Sequence, residues 1–85
     1  MKLNYHTDAG HGWVEVPRSL LLEYDIEDQI TPYSHQKDDR VFLEEDCDAP
    51  RLITKMADRG LVVEFRELVV NGRSRIRDYA RYTVA

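Results

Sequence analysis

Between Arg40 and Gly60 the chain carries a complete strand-to-helix unit, and the rest of the fold must be built around it. Arg40-Val41-Phe42-Leu43-Glu44 has the apolar density of a strand. After it, Ala49, Leu52, Ile53 and Met56 fall at i, i+3, i+4 and i+7, which is one apolar stripe on a helix. Asp46 or Asp48 is placed to cap that helix, and Pro50 is tolerated in its first turn. Lys55 and Arg59 near the far end suit the helix dipole, and Gly60 is placed to close it in a left-handed conformation.

The flanking segments read more simply. Residues 2–7 and 12–16 predict two short strands around the turn Asp8-Ala9-Gly10-His11. Pro17 suits the first helical position, and Leu20, Leu21 and Tyr24 then line one helical face. Residues 25–38 read as irregular, with Tyr33 and His35 exposed or half-buried. Leu61–Val70 and Arg75–Val84 predict a hairpin around Asn71-Gly72. A loop over 71–74 would pair Val63 with Tyr82, Phe65 with Ala80 and Val69 with Ile76, and set Glu64 beside Arg81. The expected product is a single α+β domain over residues 1–85. It would be an antiparallel sheet of four to five strands with two helices packed on one face.

Size and composition narrow the class. At 85 residues the chain sits near the low end of what folds alone. Cys47 is the only cysteine, so no intrachain disulfide can form and a reducing compartment suits the chain. There is no apolar run of membrane-spanning length, and Met1–His6 lacks the apolar core of a signal peptide, so a cytoplasmic protein is expected. A core this small seldom leaves a concave catalytic pocket, which makes an enzyme the less favoured class.

Charge is the other strong signal. Residues 23–48 hold ten Asp+Glu against two Lys+Arg, a local net of −8 in a chain whose total is −4. Such clustering costs self-repulsion, and a cationic partner would offset it. Asp38, Asp39, Glu44, Glu45, Asp46 and Asp48 are the candidate partner-binding residues. They do not follow the spacing of a calcium loop, and some of them simply charge the helix start. Residues 49–85 reverse the sign, with eight Lys+Arg against four Asp+Glu. There Arg73, Arg75, Arg77 and Arg81 interleave with Tyr79 and Tyr82, an arrangement that can bind nucleic acid. The overall negative charge works against that use. An acidic middle meeting a basic end would also favour a homodimer.

The remaining motifs point to no cofactor. His6-x-Asp8-x-x-His11 offers two or three metal ligands, but around a turn and far from His35 and Cys47, so turn-building is the better reading. Gly10-His11-Gly12-Trp13 lacks the strand and helix context of a phosphate loop. The acids flanking Cys47 would raise its thiol pKa and make it a poor nucleophile.

Three segments carry a resemblance: His6-Thr7-Asp8-Ala9-Gly10-His11-Gly12-Trp13-Val14-Glu15-Val16-Pro17, Leu43-Glu44-Glu45-Asp46-Cys47-Asp48-Ala49, and Ile76-Arg77-x-Tyr79-x-Arg81-Tyr82. With them the chain resembles small proteins carried by phages, prophages and plasmids of proteobacteria. Some small acidic phage proteins of this size are anti-CRISPR inhibitors, and several imitate the charge of DNA. By that analogy the expectation is a non-enzymatic inhibitor of mobile-element origin. Its acidic surface would bind the basic DNA-binding groove of a type I CRISPR surveillance complex and block target DNA. The alternative is a small nucleic-acid-binding regulator using the Arg/Tyr-rich C-terminal hairpin.

Overall fold

Six strands and two helices build an α+β fold in this computed structural model, which describes residues 1–84. The strands are β1 (Lys2–Thr7), β2 (Gly12–Pro17), β3 (His35–Lys37), β4 (Arg40–Glu44), β5 (Glu64–Val69) and β6 (Ala80–Arg81), in the sheet order β5-β1-β2-β4-β3-β6. All neighbours are antiparallel except β1 and β5, which run parallel with Leu3 beside Phe65. The sheet is therefore mixed and six-stranded rather than antiparallel and four- to five-stranded.

Both helices pack on one face. Leu20 and Leu21 of α1 (Arg18–Glu23) and Leu52 and Met56 of α2 (Asp48–Asp58) meet Leu3, Val14, Val16, Val41 and Leu43 of the sheet. Successive strand residues alternate faces, so these five strand positions share one side. Pro17 ends β2 and precedes the first residue of α1 instead of occupying it. Gly60 takes φ +79, and its left-handed turn closes the segment after α2. No helix among the described residues is long and apolar enough to cross a membrane.

The expected C-terminal hairpin does not form. Asn71-Gly72 does turn, with Gly72 at φ +91, but β5 pairs with β1 and β6 pairs with β3 at the opposite end of the sheet. Helix α2 supplies the crossover that a parallel pairing requires. Between β5 and β6 the chain forms a strap across the other face of the sheet. A 3₁₀ turn over Arg75–Asp78 within it places Ile76 and Tyr79 on Trp13 and Phe42. Tyr82 is buried in the helix-side core, where its hydroxyl donates to the Glu27 carbonyl at 2.5 Å. Val63–Tyr82, Phe65–Ala80, Val69–Ile76 and Glu64–Arg81 are therefore not pairs.

Candidate binding cleft

Asp8 holds the strap to the sheet. One of its carboxylate oxygens accepts from the Gly10 and His11 amides at 3.0 and 2.9 Å, which shapes the β1–β2 turn. The other accepts from the Ser74 amide at 2.9 Å. The Arg77 guanidinium closes on both oxygens at 2.7 Å, in the fork geometry that suits a carboxylate. Arg77 and these amides hold the Asp8 carboxyl well below the usual carboxylate range. The strap is thus tied through charge as well as through Ile76.

Beside this tie lies a cleft of about 660 Å³ lined by His11, Trp13, Tyr33, His35, Glu44, Asp46, Cys47, Arg73, Arg77 and Arg81. The β1–β2 turn, the β4–α2 turn, and the strap with β6 converge on it. Its walls carry opposite charges. On one side Arg77 stands near the Trp13 ring, with 5.9 Å from guanidinium carbon to ring centroid, and Arg81 donates to the Pro32 carbonyl at 3.0 Å. Arg73 pairs with Asp78 at 2.6 Å on the exposed rim. On the other side stand Glu44, Asp46 and Cys47. His35 is buried rather than exposed or half-buried, and its Nδ1 lies 3.0 Å from the Tyr79 carbonyl. A carbonyl only accepts, so Nδ1 carries the proton.

The six candidate acids do not form one surface. Asp48 is fully buried at the start of α2, where its carboxylate accepts from the Thr31 amide and hydroxyl and from the Ser34 hydroxyl. It pins the 24–34 loop and is not available to a partner. It caps no helix amide either, since Cys47 occupies the cap position without a side-chain bond. Glu44 spends both oxygens on the Asp46 and Cys47 amides, at 3.0 and 2.8 Å. Glu45 accepts from the Tyr5 hydroxyl, and that bond, followed by burial, pushes the phenol up to about 12. Asp46 is exposed. Asp38 and Asp39 form the exposed tip of the β3–β4 hairpin, with Asp38 at φ +54. The length of β4 separates that tip from Asp46 by roughly 20 Å at about 3.3 Å per residue.

Local desolvation, then the bond with Glu44, raises the Cys47 thiol pKa, which disfavours the nucleophilic thiolate. His6 pairs with Glu15 at 2.7 Å and Glu15 with Arg40 at 2.8 Å, outside the cleft. With Asp8 tied to Arg77, the His6, Asp8 and His11 set is not assembled, and no metal-ligating cluster is present among the described residues. Sequence reading missed the cleft itself. The signal for it was the coincidence of Gly10–Trp13, Glu44–Asp48 and Arg73–Arg81 as motif segments, but nothing in their spacing says that they touch. No family model, curated protein or solved structure matches the chain.

Proposed function

We propose that this protein is a non-enzymatic inhibitor of mobile-element origin that acts in the bacterial cytoplasm. It occupies the nucleic-acid-binding surface of a larger host complex, with a type I CRISPR surveillance complex as the first candidate. The observation that carries the reading is the division of labour among the carboxylates. Asp8, Glu15, Glu44 and Asp48 are committed to internal bonds, whereas the carboxylates of Asp38, Asp39 and Asp46 accept no hydrogen bond among the described residues and stand in solvent. Solvated carboxylates on ordered turns can meet Lys and Arg without first breaking an internal contact.

Contact at two points follows from the geometry. The hairpin tip and the β4–α2 turn are spaced by roughly six base steps at about 3.4 Å each, so the protein would touch a groove twice rather than along a continuous row. Arg73 and Arg77 are already paired with Asp78 and Asp8, so Arg81 is the cleft arginine that an acidic element of the partner would meet. The test is co-purification of tagged protein from a host carrying a type I system. Asp46→Lys and the pair Asp38→Asn/Asp39→Lys serve as variants, with Asn chosen because it tolerates positive φ. Recovery of surveillance subunits with the wild type, and their loss with both variants, is the expected result. Equal recovery with all three proteins would defeat the acidic-contact reading.

A second reading rests on Arg73, Arg77 and Arg81 lining one cleft beside Trp13 and Tyr33. Such a wall can hold a phosphate, and the protein would then be a nucleic-acid-binding regulator. Retardation of DNA or RNA at low salt, lost steeply as salt rises and abolished by Arg81→Ala, would favour it over the inhibitor.

A further inference from the structure

We infer that two copies of this chain pair through the open edge of β5, which joins their sheets into one of twelve strands. The inference is independent of the proposed inhibitor role. Strand β5 ends the sheet, and among the described residues only β1 pairs with it. The Glu64 amide donates to the Met1 carbonyl at 2.8 Å and the Val70 amide to the Thr7 carbonyl at 2.9 Å. Backbone groups of a strand alternate in direction, so those of Val63, Phe65, Glu67 and Val69 face away from the sheet. They form a ready ladder. Of the nine exposed large hydrophobics, Met1, Leu61, Val62, Phe65, Val69 and Val70 lie in or beside this edge, so six side chains gather at one border of the molecule. An exposed edge strand with apolar side chains at Phe65 and Val69, and without proline or a bulge, is a template for strand pairing.

Charge selects the occupant and the register. A two-fold antiparallel pairing centres on a residue that faces its own copy. Centring on Glu64, Arg66 or Glu67 sets like charges together, and centring on Leu68 or Val69 runs the ladder into Gly72 at φ +91. Centring on Phe65 avoids both problems. Phe65 then faces Phe65 of the second copy in a hydrogen-bonded pair, and Val62 faces Leu68. Glu64 faces Arg66 twice, in the non-hydrogen-bonded positions where side chains come closest. Neither Glu64 nor Arg66 has an ion-pair partner within its own chain among the described residues. The edge is therefore self-complementary, as a two-fold interface requires.

The test is the molar mass in solution, by light scattering over a dilution series, with folding checked by circular dichroism. Wild type should be a dimer, and Arg66→Glu should weaken it at least about tenfold in Kd by opposing Glu64 with a second carboxylate. The double variant Glu64→Arg/Arg66→Glu restores both pairs with reversed sign and should recover the dimer. In a Cys47→Ser background, Phe65→Cys should cross-link on oxidation, because a hydrogen-bonded pair at about 5.5 Å between Cα atoms accepts a disulfide. A wild-type monomer at every concentration, failure of the double variant to rescue, or cross-linking by Glu67→Cys instead of Phe65→Cys would overturn the inference.

Discussion

Replacing Asp48 with alanine removes the acceptor for three donors at once: the Thr31 amide at 3.1 Å, the Thr31 hydroxyl at 2.7 Å and the Ser34 hydroxyl at 2.5 Å. Ser34 in turn accepts from the Glu44 amide at 2.9 Å, so the loss also loosens the end of β4. Hydrogen bonds to a charged group are worth about 1.5–3 kcal/mol each, or about 4–9 kcal/mol for three. Alanine also relieves the burial of a carboxylate that no cation faces, a cost of roughly several kcal/mol, and the net destabilisation is then about 3 kcal/mol. A chain of this length has a total stability of about 4–13 kcal/mol. In urea denaturation followed by Trp13 fluorescence, that loss should lower the midpoint by about 2 M, taking a slope of about 1.5 kcal/mol per M. Asp48→Asn keeps one acceptor oxygen and should lose about half as much, roughly 1.5 kcal/mol. An Asp48→Ala protein within about 0.5 kcal/mol of wild type would refute the view that this carboxylate pins the 24–34 loop.

Other outcomes follow from the same geometry. The folded Asp8 carboxyl lies below its unfolded value of about 3.9, so its contribution to stability is present above that pH and is lost as pH falls through the acid range. Thermal melts should therefore lose stability below about pH 4, and Asp8→Asn should shrink that acid dependence; an unchanged slope would contradict the role of Asp8 in the strap. At Gly12 an added Cβ would lie 2.5 Å from a Glu45 carboxylate oxygen and 2.8 Å from the Tyr5 hydroxyl. Gly12→Ala should cost about 1–3 kcal/mol in chemical denaturation and free the Tyr5 phenol to ionise nearer its usual pH in ultraviolet titration. Cys47, with its thiol pKa raised, should react with iodoacetamide more slowly than an unperturbed thiol at neutral pH, and faster alkylation would show that the thiolate is favoured after all.

Local features of this fold were legible in the sequence because local rules govern them. The stripe Ala49, Leu52, Ile53 and Met56 and the closing Gly60 are helix signals that tertiary context reinforced. The strands over 2–7, 12–16 and 40–44 carry strand-favouring residues on a core face. The C-terminal hairpin misled for a physical reason. Asn71-Gly72 is a turn signal that says nothing about whether the flanking segments pair. Ile76 and Tyr79 pack on one face of the sheet and Tyr82 on the other, an assignment that the alternation of a continuous strand would not give. The parallel partner of β5 lies more than sixty residues away in sequence, and no local pattern encodes it.

The acidic site was legible only as composition. Ten acids over residues 23–48 announce negative charge, but the sequence cannot divide them into solvated and structural groups. Asp48 shows why. Its neighbours in sequence are acidic and polar, while the donors that bury it come from Thr31 and Ser34 on a loop whose path depends on the whole core. Arg73, Arg77 and Arg81 looked like a basic hairpin face. They instead line a cleft opposite Glu44 and Asp46, with Arg77 neutralised by Asp8.

Binding of labelled target DNA to a purified type I surveillance complex, titrated with this protein, tests the inhibitor reading most directly. The account predicts that the wild type displaces the DNA with an apparent affinity that weakens as salt rises. Asp38→Asn/Asp39→Lys and Asp46→Lys should each shift the midpoint at least about tenfold, since each replaces attraction to a basic groove with repulsion. DNA binding unaffected by wild-type protein, or blocked equally by the charge-reversed variants, would contradict it.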